Sequence, residues 1–213
     1  MMQDIPLTQQ ISRLGVAFLS NLAFLPFVLG IGILLGIIIA FIRFHRIPVI
    51  SQLLAVMVEI VRGSPFLIIV YAVYFALPYI GIELGAFQTG IVVLSITATA
   101  YLSEVFRSGL MAMDRGQFEA AEALGMNYFQ KSFLIVLPQI VKTTMPSIVG
   151  QIVMTIKDTS IVSLVGMVEI VRTSRQIMQL TLSPFTAFSI VSVFFILVCY
   201  PLIVVSKRLE GRQ

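Results

Sequence analysis

VAFLSNLAFLPFVLGIGILLGIIIAF, residues 16–41, decides the class of this chain. The run carries no charge, and Ser20 and Asn21 are its only polar interruptions. About 20 predominantly apolar residues suffice for a helix to cross the hydrocarbon core of a bilayer, and this run exceeds that length. It stops at Arg43-Phe44-His45-Arg46, a basic cluster suited to the membrane surface. The whole chain has the same character. Of its 213 residues, 58% are hydrophobic and 11% charged, whereas soluble domains carry roughly 25% charged residues. A chain this apolar cannot cover itself with polar groups, so lipid is its solvent. The net charge of +4 is spread along the sequence, with no basic stripe interleaved with aromatics, which excludes a nucleic-acid binder. A single cysteine, Cys199, and a single histidine, His45, exclude an internal disulfide and a Cys/His metal site. Met1 to Gln10 is polar without a positive leader, so the first apolar run is expected to remain as a span.

Outward from that run, hydropathy marks four more crossings, giving an all-α membrane protein of about five spans at 16–41, 65–80, 86–111, 132–156 and 184–206. Ile47 to Val61 is apolar around Glu59 and reads as a helix entering obliquely. Arg62-Gly63-Ser64-Pro65 breaks it, since proline disfavours helix at the preceding residue. Residues 114–131 are the most polar internal stretch. The 132–156 span contains Pro138, Lys142 and Pro146 and is expected to be kinked. Thr159 to Val171 is apolar but too short to cross, which fits a re-entrant or interfacial segment. Basic residues orient the chain. With the N-terminus outside, the inner segments hold Arg43, Arg46, Arg107, Arg115, Lys131, Lys207, Arg208 and Arg212, against Arg13, Lys157, Arg172 and Arg175 outside. The C-terminus is then cytoplasmic.

The element Glu-x-x-Arg occurs at Glu59/Arg62, Glu104/Arg107 and Glu169/Arg172. Residues three apart share a helix face, so each pair can neutralise itself at low cost to the membrane.

Asp114-Arg-Gly-Gln-Phe-Glu-Ala-Ala-Glu-Ala-Leu-Gly125 stands apart from the lipid-suited remainder. Gly116 permits a turn, Gln117 to Leu124 favour helix, and Gly125 is a natural stop. The pattern predicts a slim helix on the cytoplasmic side, fit either to dock in a partner's groove or to link two spans. Glu119-Ala120-Ala121, then Gly125, then Ile135-Val136-Leu137-Pro138, resembles the EAA loop of bacterial ATP-binding-cassette (ABC) importer permeases. Arg62-Gly63-Ser64-Pro65, Tyr74-Phe75, Leu77-Pro78, Tyr101 to Glu104 with Arg107 and Gly109, and Lys157-Asp158-Thr159-Ser160 with Ser163 resemble the polar amino acid branch. Ser64 stands where that branch often has threonine, and Lys142 lies where arginine is common nearby. The likeness extends over residues 20–207, between an N-terminal extracytoplasmic segment (1–19) and a short tail (208–213).

The resemblance implies a type I ABC importer core in a bacterial cytoplasmic membrane. It also implies a second permease subunit, two ATPase subunits and an extracytoplasmic solute-binding protein as partners. Gln117, Glu119, Ala120, Ala121, Gly125 and Pro138 would couple the spans to the ATPase. No Gly-x-x-x-x-Gly-Lys-(Ser/Thr) loop is present, so ATP and Mg are expected on the partner and no cofactor on this chain. Polar groups within the membrane should face the solute path or a partner, which nominates Arg62, Glu104, Arg107, Lys157, Asp158, Thr159 and Ser160. A secondary transporter would need paired halves with broken helices, and an intramembrane enzyme a nucleophile or metal set. The sequence shows neither.

Overall fold

The computed structural model describes residues 5–211. The first residues of the expected 1–19 segment, 1–4, and Arg212 and Gln213 of the expected tail lie outside that range. Helices α1 (Leu7–Ala23) and α2 (Leu25–Phe44) meet at Phe24, whose carbonyl accepts from Val28 N–H at 3.1 Å, so the helical path is almost continuous. Helix therefore begins well before Val16. The reason is an amphipathic pattern within the polar start. Leu14, Ala17 and Phe18 bury one face of α1, while Thr8, Gln9, Ser12 and Arg13 remain outside it.

Helices α3 (Ile50–Gly63) and α4 (Phe66–Ala76, continued by a 3₁₀ turn at Leu77–Ile80) are bent by 112° at Ser64-Pro65. Ser64 is extended (φ −93°, ψ 140°), as a residue before proline should be. The helical stretch expected at 65–80 begins at this bend. At 1.5 Å per α-helical and 2.0 Å per 3₁₀ residue it rises about 24 Å, short of the ~30 Å core. With α3 it forms a sharply bent pair, the geometry of a broken span or a re-entrant segment. Among the described residues four helical stretches are long and apolar enough to span, or five with the bent pair counted as one.

Helix α5 (Ala86–Met111) coincides with its expected boundaries and is the most enclosed of the spans. Its small residues let neighbours close in. A Cβ on Gly32 of α2 would lie 2.9 Å from Ala98 Cβ, and one on Gly36 would lie 3.1 Å from Leu102 Cβ. This Gly-x-x-x-Gly face packs α2 directly onto α5. On the far side, a Cβ on Gly109 would meet Thr144 Cγ2 at 2.7 Å. Phe24, Val28, Leu94, Leu102, Phe106, Leu110 and Ile140 fill the resulting core.

After α5 come α6 (Arg115–Ala123), α7 (Tyr128–Gln130), a π turn (Lys131–Val136) and α8 (Leu137–Asp158). The last three run on as one helix, longer at both ends than the expected 132–156. The π turn sits immediately before Pro138, and Leu137 N–H reaches back five residues to Ser132 O. A proline clashes with the carbonyl four residues earlier; the wider turn relieves that clash. Pro146 lies inside α8, where its carbonyl accepts from Ser206 Oγ at 3.0 Å and ties α8 to α10 (Pro184–Glu210). Between α8 and α10, a 3₁₀ turn (Ile161–Val165) folds back on α5: a Cβ on Gly90 would lie 2.9 Å from Val162 Cγ1. Helix α9 (Ile170–Thr181) then packs on α1 and α10 through Ile170, Ile177, Leu14, Phe18 and Val191.

Candidate functional site

Local chemistry defines α6. Asp114 caps its start, accepting Gly116 N–H at 2.8 Å. Gly125, at φ 70°, ends it in a Schellman motif: Gly125 N–H donates to Glu122 O and Met126 N–H to Ala121 O, at 2.9 and 3.1 Å. Ala121 is buried and Phe118 half-buried, whereas Gln117, Glu119, Ala120, Leu124 and Gly125 are exposed. The helix thus keeps one narrow anchor inward and leaves its other face open.

The anchor rests on the end of α2. The Phe118 ring stacks on Phe44 with centroids 6.3 Å apart and planes 20° from parallel. Tyr128 OH lies 2.8 Å from His45 Nε2. Lys131 pairs with Glu122, and its ammonium sits 5.9 Å from the Phe118 ring. Asn127 caps α7, accepting Gln130 N–H at 2.9 Å. The basic stop after the first run is therefore also the seat of α6, a role that no local sequence signal gave to Phe44 or His45. Pro138 stands at the π turn, where the segment after α6 enters the membrane.

Above this seat, Glu104 gathers arginines from three helices. Arg107 Nη2 lies 2.8 Å from Oε2, Arg43 of α2 pairs with Oε1, and Arg62 of α3 reaches 4.0 Å. The Arg62 guanidinium also lies 5.5 Å from the centroid of the Tyr101 ring. Arg62, Glu104 and Arg107 are thus brought together as nominated, and Arg43 joins them unannounced.

The expected pairing of all three Glu-x-x-Arg elements is corrected. Of the three elements, only Glu104/Arg107 pairs within itself among the described residues. Arg62 turns from exposed Glu59 to Glu104. Glu169 is buried and caps α9, accepting Arg172 N–H at 2.6 Å, while the Arg172 guanidinium donates to Gly166 O. A cap and a tertiary partner each outcompete a neighbour three residues away.

The other nominated residues lie at the far end of α8, whose 22 residues rise about 33 Å. There Asn21 Nδ2 donates to Thr159 Oγ1 at 2.8 Å and to Glu169 Oε2 at 3.1 Å, while Asn21 Oδ1 accepts Ile170 N–H at 3.1 Å. Asn21, Thr159 and Glu169 are all fully buried. Thr159 is therefore enclosed in a network joining α1, α8 and α9, with Thr159 Oγ1 also donating to Ile156 O at 2.6 Å. Ser160 Oγ donates to Lys157 O at 2.7 Å. Lys157 is exposed, and it forms no ion pair with Asp158 among the described residues. Asn21 and Glu169 went unnominated; their signal was a polar residue isolated inside an apolar run.

Residues 32–213 match the family described as binding-protein-dependent transport system inner membrane component. The chain is 38% identical over 181 residues to the probable glutamine ABC transporter permease protein GlnP of Bacillus subtilis, covering 84% of this chain and 83% of that one. It is 32% identical over 178 residues to the probable glutamine ABC transporter permease protein GlnM of the same organism, covering 84% and 82%. Its fold is similar to that in a crystal structure of an amino acid ABC transporter with histidines, at a TM-score of 0.84 and 25% identity over 99% of this chain and 100% of that one. An inward-facing MetNI methionine ABC transporter shares the fold alone, at a TM-score of 0.76 and 17% identity over 94% and 96%.

Proposed function

The chain belongs to the family of inner membrane components of binding-protein-dependent transport systems, and from that premise we propose that its cargo is a polar amino acid and that α6 is its coupling helix. The names of its relatives support the cargo class, with glutamine or a close analogue first among candidates. In this reading the chain sits in a bacterial cytoplasmic membrane beside a second permease, a copy of itself or a paralogue. Two ATPase subunits bind from inside, and a solute-binding protein delivers from outside. ATP and Mg belong to the ATPase, and this chain catalyses nothing itself.

The observation that carries the coupling role is α6: capped at both ends, anchored by Phe118 and Ala121, and open on the face that bears Glu119 and Ala120. Closure of the ATPase pair would push on that face. Because α6 rests on α2 through Phe44 and is joined to α8 through Lys131 and the π turn, the push would reach both spans. Arg62, Glu104 and Arg107 lie next to this junction and are placed to exchange partners as the helices shift. Lys157, Asp158, Thr159 and Ser160 belong to the opposite end; there the exposed Lys157 and the half-buried Asp158 and Ser160 are better placed to meet solute than Thr159.

Uptake of labelled glutamine into vesicles carrying the assembled transporter tests this. Gly125→Arg puts bulk and charge at the rim of the docking face and is expected to abolish uptake and ATPase association. Normal association and uptake by that variant would remove α6 from the coupling role. Glutamine uptake driven by a proton gradient without ATP would overturn the class of mechanism.

A further inference from the structure

Beneath α6 lies a cavity of about 610 Å³, walled by the ends of α2 and α5, by α6 itself and by α7 with the π turn. Four lining side chains are cationic, Arg43, Arg46, Arg107 and Lys131, against a single carboxylate, Glu119. Part of that charge is answered just outside the cavity: Glu104 holds Arg43 and Arg107, and Glu122 holds Lys131. Glu104 must also balance Arg62. The neighbourhood therefore keeps five cations against three carboxylates. Arg46 forms no ion pair among the described residues, and its backbone is left-handed, at φ 51°. A side chain with a Cβ adopts that conformation at a cost. The surplus positive charge is thus placed at the cavity by the chain's own turn out of α2.

The floor is apolar, built from Phe41, Leu110 and Val136. In the adjoining π turn, Phe133 and Leu134 are 62% and 68% exposed. The spans end here, so the cavity lies at the level where a lipid changes from acyl chain to headgroup.

We propose that this cavity seats the phosphate of an anionic phospholipid headgroup, with Arg46 as its principal ligand and the acyl chains lying along Phe133 and Leu134. Basic pockets between membrane helices on the cytoplasmic side are suited to anionic headgroups. The exposed apolar pair beside the cations favours a lipid over free phosphate. A headgroup here would join α2, α5 and α6 at the point where α6 rests on the bundle. The proposal goes beyond the transport reading, since lipid retention needs no coupling.

Native mass spectrometry of the assembled transporter, released from nanodiscs of phosphatidylcholine with a minor share of phosphatidylglycerol, tests it. Phosphatidylglycerol is expected to be retained in preference to phosphatidylcholine. Arg46→Gln should lower that retention roughly fivefold, and Arg46→Lys should largely preserve it. Glu119→Gln removes the lining carboxylate and should raise retention, a change of sign that misfolding does not produce. Equal retention of both lipids, an unaltered Arg46→Gln, or no rise in Glu119→Gln would overturn the site. Displacement of phosphatidylglycerol by millimolar inorganic phosphate would overturn the lipid assignment in favour of a free anion. Uptake is not read in any arm, so failure here leaves the permease reading standing.

Discussion

The two ends of α8 hold polar clusters of opposite build. At the α6 end, Glu104 is shared among arginines from three helices, and the seat of α6 is made of rings and half-exposed charges. At the other end, Asn21, Thr159 and Glu169 are sealed from solvent and joined by directed hydrogen bonds. A charged group reachable by water can change partners without being stranded. A buried amide that loses its partner has nothing to replace it. The first cluster is therefore fit to rearrange and the second to stay fixed, as the coupling role proposed above would need.

The largest effect is expected from exchanging Glu104 and Arg107. Were the pair a self-contained i,i+3 neutralisation, exchange would conserve it. The structure says otherwise, because Arg43, with a side chain only 9% exposed, and Arg62 would then face an arginine at position 104. Removing the counter-charge of a fully buried ion costs about 3–5 kcal/mol, and the partial exposure of Glu104, Arg107 and Arg62 places the loss here toward or below the low end of that range. The exchanged protein should fail to assemble or lose several degrees in thermal unfolding in detergent, and Glu104→Ala should behave alike. Stability equal to the parent's would return Glu104/Arg107 to the status of a local pair.

Next in size is the anchor. Glu169→Ala removes one of the two acceptors of the Asn21 amide and the acceptor of the Arg172 N–H, and a buried donor left unsatisfied costs about 1–3 kcal/mol. Asn21→Ala should cost a similar amount. The double variant should cost less than the sum, because the two residues share one network. Strict additivity in a thermal-unfolding cycle would mean that the network does not act as a unit.

How much of this was legible follows from the range of each contact. The helix at Ala86–Met111 was legible because an apolar run and its polar ends lie close in sequence. The ends of α6 were legible because Gly125 acts on its own backbone. The seat was not, because Phe44–Phe118, His45–Tyr128 and Arg43–Glu104 join residues brought together only by packing. The Glu-x-x-Arg rule misled for the same reason. It sees a helical neighbour and is blind to an arginine arriving from another helix.

Smaller again is the stop of α6. Gly125 at φ 70° has open space around a would-be Cβ, so a substitution there pays only for conformation. Gly125→Ala should cost about 1–2 kcal/mol, and Gly125→Asn less, since asparagine tolerates the left-handed region. If uptake falls with Ala and recovers with Asn, the glycine serves geometry. If both variants lose uptake while unfolding at the parent temperature, the open space itself is what the partner fills.

The smallest expected effect lies at the edge of the seat. Tyr128→Phe removes the hydroxyl that meets His45 but keeps the ring, and both side chains are exposed. Water can replace the lost partner, so the stability change should be within about 0.5–1 kcal/mol. Phe44→Ala removes the stacked ring instead, and an aromatic pair contributes about 0.5–1.5 kcal/mol beyond its burial. Coupling should therefore depend on Phe44 and hardly on Tyr128. Uptake per ATP hydrolysed separates the two: Phe44→Ala should hydrolyse ATP with less transport, and Tyr128→Phe should match the parent. If Tyr128→Phe uncouples as strongly, the seat holds α6 by a directed bond, and the contrast between a rearrangeable end and a fixed end fails.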